Sequence, residues 1–131
     1  MLQQLPAVVV FLNVVLLWGT MIYVGHTRRK FAIKAPATSG HPGFERAYRV
    51  QMNTLEGSVM FLPALWLATH YGFSVWASAA GLVWIICRLW YAFSYVKDPG
   101  CREYSFLLAM LAWFAIVVMA FIGLLRSLVT A

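Results

Sequence analysis

Four long apolar runs, separated by short polar stretches, set the layout of this chain. The first, over 5–25, reads "LPAVVVFLNVVLLWGTMIYVG", with hydrophobic residues on every face. A helix apolar all round belongs in a core or a membrane, and about 20 such residues cross the ~30 Å hydrocarbon layer. Comparable runs cover 44–70, 74–96 and 102–128. Each predicts a spanning helix. Between them, "HTRRKFAIKAPATSGHPG" turns abruptly basic and then places Pro36, Gly40, Pro42 and Gly43, which predicts a structured interfacial loop. "HYGF" reads as a tight turn and "KDPG" at 97–100 as a strong turn signal. The first run lacks a basic leader and a small-residue cleavage site, so it reads as a retained helix and not as a signal peptide. The expected fold is an all-α integral membrane protein, a single domain over 1–131 built as a left-handed up-down bundle of four transmembrane helices.

Composition agrees with this layout. Of the 131 residues 63% are hydrophobic and 11% charged, against roughly 25% charged in a soluble domain. The formal charge is +6, and its distribution matters more than its total. Arg28, Arg29, Lys30, Lys34, Arg46, Arg49, Arg88, Lys97 and Arg102 lie in or near the first and third connections, leaving Arg126 elsewhere. With four spans those connections share one side of the membrane. The positive-inside rule puts them in the cytoplasm and both termini outside. No alternation of basic and aromatic residues suggests nucleic acid.

The polar segment "ERAYRVQMNTLE" over 45–56 opens the second span. On a helix advancing ~100° per residue, Arg46, Arg49, Asn53 and Glu56 fall within an arc of roughly 80°, with Gln51 nearly opposite. Glu56 stands ~21 Å along the helix from His70, which places it below the cytoplasmic interface. An ionised carboxylate at that depth needs a partner or water. The third span supplies a matching stripe, Arg88, Tyr91 and Tyr95, within roughly 60°. Arg102 follows one turn later. Taken singly, a buried Arg–Glu pair is often glue between helices, and an interfacial Tyr often belongs to the aromatic belt. Taken together, Arg28, Arg46, Arg49, Arg88 and Arg102 outnumber Glu45, Glu56 and Glu103, and the excess calls for a small anionic ligand. Gln51, facing away, points to a partner on another subunit.

The remaining polar residues are less informative. His26, His41 and His70 have no carboxylate or cysteine spacing around them, so no metal site is expected. Cys87 and Cys101 sit at different depths and read as free thiols.

"FERAYRVQMNTLE" resembles the second-helix signature of the MAPEG family, the membrane-associated proteins in eicosanoid and glutathione metabolism. The resemblance extends to "RRKF" at 28–31, to the Pro- and Gly-rich loop at 36–46, and to "RLWYAFSYVKDPGCR" at 88–102. It implies a four-helix protomer in a homotrimer, with glutathione sites between adjacent subunits opening to the cytoplasm. By position, Arg49, Asn53, Glu56, Tyr91 and Tyr95 resemble the glutathione-binding residues of one wall, and Arg28 and Gln51 those of the neighbouring wall. Arg102 matches the arginine beside the thiol in the conjugating members, with Arg88 and Arg29 in supporting positions. Many relatives carry an aromatic residue directly after the glutamate. Gly57 stands there instead, which implies one tyrosine contact fewer and a larger or wetter pocket. The "QMN" form points towards the conjugating branch, represented by microsomal glutathione S-transferase and leukotriene C synthase.

The implied function is a detoxifying glutathione transferase. Glutathione serves as co-substrate, and the partners are a lipophilic electrophile or a lipid hydroperoxide delivered through membrane lipid. A thiol of pKa about 8.5 is mostly protonated at neutral pH, and a nearby guanidinium favours its ionised form. Two other classes fit less well. A non-catalytic lipid-binding scaffold of the same family has no use for an activated thiol. A small multidrug exporter would bind cations in an acidic pocket.

Overall fold

The computed structural model describes residues 1–131, except the side chains of Pro99 and Cys101. A short 3-10 turn, Leu2–Gln4, leads into α1, Leu5–Lys30. α2 spans Pro42–Ala68, α3 Ser74–Lys97 and α4 Glu103–Thr130. Three stretches are long and apolar enough to cross a membrane: Leu2–Lys30, Pro42–Lys97 and Glu103–Thr130. The middle one folds back on itself. Tyr71 and Gly72 leave helical geometry within Thr69–Phe73, and Gly72 takes φ +99°, a conformation that costs a glycine little. This turn is the "HYGF" of the sequence, so the chain has four long helices.

α1 continues past 25, where the change of composition predicts a loop. Arg28, Arg29 and Lys30 form its last turn, where cations meet the negative end of the helix dipole. The chain leaves the helix at Phe31, and Ala32 adopts φ +54°. Pro42 then occupies the first turn of α2, where a missing N–H costs nothing. His41 caps that helix, its Nδ1 accepting from Gly43 N at 3.0 Å, and its ring stacks on Phe31 with centroids 3.6 Å apart. The loop therefore has a packed structure of its own.

α1 packs on α2 and α3, and α4 packs on the same two helices. α1 turns Val9, Asn13, Leu16, Thr20, Val24 and Thr27 inward, a stripe at helical spacing. α4 does the same with small residues, Ser105, Ala109, Ala112, Ala120 and Gly123, around Ile116. Small side chains let helix backbones approach closely where no hydrophobic force drives association in lipid. At the centre, Phe61 of α2 stacks on Trp84 of α3, ring centroids 4.1 Å apart. Pro63 lies inside α2 and contributes no N–H. In the same turn the Met60 carbonyl accepts from Trp113 Nε1 of α4 at 3.1 Å, tying α4 to α2.

Candidate functional site

The polar residues of α2 and α3 meet between these helices and α4. Asn53 Nδ2 donates to the Tyr91 hydroxyl at 2.6 Å. Tyr91 is buried and stacks with Tyr95, centroids 5.6 Å apart, because i and i+4 lie one above the other on a helix. Arg102 places its guanidinium carbon 5.6 Å from the Tyr95 ring centroid. The result is a run from amide to phenol, second phenol and guanidinium. "KDPG" sets its last member: Asp98 Oδ1 accepts from Gly100 N at 3.0 Å, and a short 3-10 turn, Pro99–Arg102, carries the chain into α4.

A cavity of about 470 Å³ lies against this run. Asn53, Glu56, Arg88, Tyr91, Arg102 and Glu103 line its polar part, and Met60, Phe106, Met110 and Trp113 its apolar part. A site of this form can hold a polar molecule at one end and a greasy one at the other. Gly57 borders it. A Cβ at Gly57 would meet Trp84 at 3.3 Å and Arg88 at 3.9 Å, so the glycine lets α3 pack closely against α2 at the cavity wall.

Arg88 is buried, and its contacts run to Thr54, Tyr91 and Trp84. Its Nη2 donates to Thr54 Oγ1 at 3.3 Å, and its guanidinium carbon lies 4.6 Å from the Tyr91 ring centroid and 5.8 Å from that of Trp84. Its Nε has no hydrogen-bond partner. Behind Thr54 a polar path continues through the core. The Ser58 hydroxyl lies 2.8 Å from the Thr54 carbonyl and 3.2 Å from Asn13 Oδ1. Sequence reasoning missed these residues. Asn13 was the visible signal, an amide inside "VVVFLNVVLL", whereas Thr54 and Ser58 look like ordinary helix residues.

The protomer does not gather every expected residue. Asn53, Glu56, Tyr91 and Arg102 surround the cavity, and Tyr95 adjoins it through its ring contacts. Arg49 is exposed on α2 and Arg29 exposed at the end of α1. Arg28 donates from Nη1 to the Ala37 carbonyl at 2.7 Å and lies over the Phe44 ring, tying down the loop. Gln51 does not line the cavity. Arg46 donates from Nη1 to the Val96 carbonyl at 3.3 Å, satisfying the end of α3 instead of joining the site. The expected cationic excess is therefore absent from the cavity of one protomer, where Arg88 and Arg102 face Glu56 and Glu103. Among the described residues no group of His, Cys, Asp and Glu gathers as a metal site would require.

Fold and site together define a helical membrane protein with a cavity polar at one end, where Tyr91, Arg88 and Arg102 line it, and apolar at the other. The chain belongs to the MAPEG family, whose model matches residues 5–122. It is similar to an uncharacterized protein of Synechocystis sp., 38% identical over 94% of this chain and 90% of that one. It is also similar to microsomal glutathione S-transferase 2 of Bos taurus, 35% identical over 79% of this chain and 71% of the relative. Leukotriene C4 synthase of Cavia porcellus is 33% identical over 97% of this chain and 85% of its own length. Membership in this family sets aside the small multidrug exporter.

Proposed function

We propose that the protein is a membrane glutathione transferase that activates the glutathione thiol and transfers the sulfur to a lipophilic electrophile. The observation that carries this reading is the Asn53–Tyr91–Tyr95–Arg102 run along a cavity with an apolar end. The names of the relatives, a glutathione S-transferase and a leukotriene C4 synthase, support the same reading. Glutathione carries two carboxylates and an ammonium, and it calls for both charge signs. Asn53, Glu56, Tyr91, Tyr95 and Arg49 form its bed on one protomer. Arg28 and Gln51 of a neighbouring copy complete it in a homotrimer, restoring the cationic excess that one protomer's cavity lacks. The basic ends of α1 and α3 face the cytoplasm, with both termini opposite, so the site opens towards the glutathione of the cytosol.

Arg102 supplies the catalytic electrostatics. A guanidinium stays charged at all working pH values and stabilises the thiolate without exchanging protons. The thiol proton leaves to water. The sulfur lone pair then forms a bond to the electrophilic carbon as the bond to the leaving group breaks, giving a thioether and the departing anion. The electrophile enters by the Met60, Met110 and Trp113 end. With a lipid hydroperoxide, the same thiolate attacks the distal peroxide oxygen, releasing the lipid alcohol after proton uptake, and a second glutathione resolves the sulfenic acid to disulfide and water.

The test is glutathione-dependent conjugation of a generic aromatic electrophile by detergent-solubilised protein, followed by absorbance, with glutathione binding measured in parallel by calorimetry. Saturable binding with turnover is expected. Binding without turnover would identify a non-catalytic lipid-binding scaffold, and absence of binding would overturn the reading altogether.

A further inference from the structure

A second cavity lies on the other side of α3 and shares no lining residue with the first. It has a volume of about 540 Å³ and runs as a groove between α1 and α3 over a floor of Ala47 and Val50 from α2. Its walls include Leu12, Leu16 and Gly19 on α1 and Ile85, Leu89 and Phe93 on α3. Its polar groups are few: Thr20, whose hydroxyl donates to the Leu17 carbonyl, and Tyr23 and Lys97 at its end. We propose that this groove is a binding site for one acyl chain of an anionic membrane phospholipid, with the headgroup phosphate held at Lys97.

Length is the first argument. From Ile85 to Lys97 the groove follows α3 for ~18 Å, and from Leu12 to Tyr23 it follows α1 for ~16 Å. Half of the hydrocarbon layer is ~15 Å. The groove therefore spans one leaflet and stops near the midplane, as a single lipid tail does. Charge is the second argument. Lys97 is exposed at the mouth, and Arg46 sits beside it on the Val96 carbonyl. The Asp98 carboxylate next in sequence is turned to Gly100 N in its own turn. Arg28, Arg29 and Lys30 end α1 on the same side of the molecule. A phosphate meets cations there, and an aromatic ring marks the headgroup level, as Tyr does at membrane interfaces. Gly19 is the third argument. A Cβ at this position meets nothing within 4 Å, so the glycine leaves the α1 wall open to a chain.

The experiment is native mass spectrometry of the detergent-solubilised protein after exchange with phosphatidylglycerol or phosphatidylcholine of matched acyl chains. The parent retains lipid and prefers phosphatidylglycerol about fivefold, the effect of roughly one surface cation. Lys97→Ala lowers the preference towards one while keeping the lipid. Gly19→Phe fills the groove and lowers retention of both lipids about tenfold. Ala92→Phe obstructs the groove from α3 and gives the same loss, so the result does not hang on one variant. Circular dichroism and size exclusion establish that each variant is folded. Equal lipid retention in folded Gly19→Phe and Ala92→Phe overturns the proposal, as does an undiminished phosphatidylglycerol preference in Lys97→Ala. Stoichiometric displacement of the lipid by an aromatic electrophile also overturns it, by making the groove a substrate site. A change of oligomeric state in the groove variants without loss of lipid does so by making it an interface between copies.

Discussion

Asn53 and Tyr91 form the shortest polar contact across the site, 2.6 Å between α2 and α3. Tyr91→Phe removes the acceptor and leaves the Asn53 amide group seeking another. The expected cost is about 1 kcal/mol, the low end of the range because Asn53 is only part-buried. Thermal unfolding should show a lower Tm, with a smaller stabilisation by added glutathione than in the parent. Arg102 predicts a different pattern. Arg102→Leu should bind glutathione with modest loss and lose turnover, about tenfold for each 1.4 kcal/mol of stabilisation removed. Arg102→Lys should keep part of the rate, since it retains charge without the planar fork. Steady-state kinetics separates these outcomes from simple loss of binding. Much of this pattern was legible, because helical spacing alone puts Asn53 and Glu56 on one face and Tyr91 and Tyr95 on another. Arg46 was misread because wheel geometry gives a direction and not a reach. Its long side chain extends to a carbonyl at the end of α3. Thr54 and Ser58 were illegible for another reason: their burial follows from which face α1 covers, and that is a tertiary fact.

At the scale of elements, the α2–α3 turn and the end of α4 are fitted to each other. A Cβ on Gly123 would lie 2.6 Å from the Tyr71 carbonyl oxygen and 2.6 Å from its Cβ. A backbone atom cannot swing away, so Gly123→Ala must push α4 from the turn. About 1–3 kcal/mol of destabilisation is expected, the usual cost of overpacking. Gly25→Ala is the control, because nothing lies within 4 Å of its Cβ and alanine favours helix. Thermal unfolding of the two variants should diverge, Tm falling for the first and holding or rising for the second. The helices themselves were readable from apolar run length, and both turns from "HYGF" and "KDPG". The end of α1 was not. A shift to basic residues looked like a loop, whereas cations at a helix C-terminus favour one more turn.

The whole molecule leaves large apolar surfaces uncovered. In the most apolar stretch of Leu2–Lys30 only 28% of the residues are buried inside the protomer, and Trp18, Trp76 and Phe93 are exposed. Lipid or further copies of the chain must cover them. Arg28 and Gln51 lie away from the cavity of their own protomer, as the proposed homotrimer with shared sites requires. Oligomeric state had no signature in the hydrophobic pattern. The proposed homotrimer rests on the resemblance and on Gln51 facing away from its neighbours. Co-expression can separate shared sites from private ones. If Arg28 of one copy completes the site holding Arg102 of another, Arg28→Ala and Arg102→Leu subunits mixed at random rebuild about a quarter of the sites, since head-to-tail contacts pair unlike subunits. Conjugation should return to about that fraction of the parent rate. If every site is private, the mixture should show only the average of the two single variants.

The central claim is that this site ionises the glutathione thiol, and the ultraviolet absorption of the thiolate reports that ionisation directly. A pH titration of the protein–glutathione complex, with free glutathione and the Arg102→Leu complex as references, is the decisive measurement. The parent complex should develop thiolate absorbance with a midpoint at least one unit below the free thiol value of about 8.5, and Arg102→Leu should return the midpoint towards that value. Coincident titrations of bound and free glutathione in the parent, or a low midpoint that survives in Arg102→Leu, would contradict the assignment of thiol activation to Arg102.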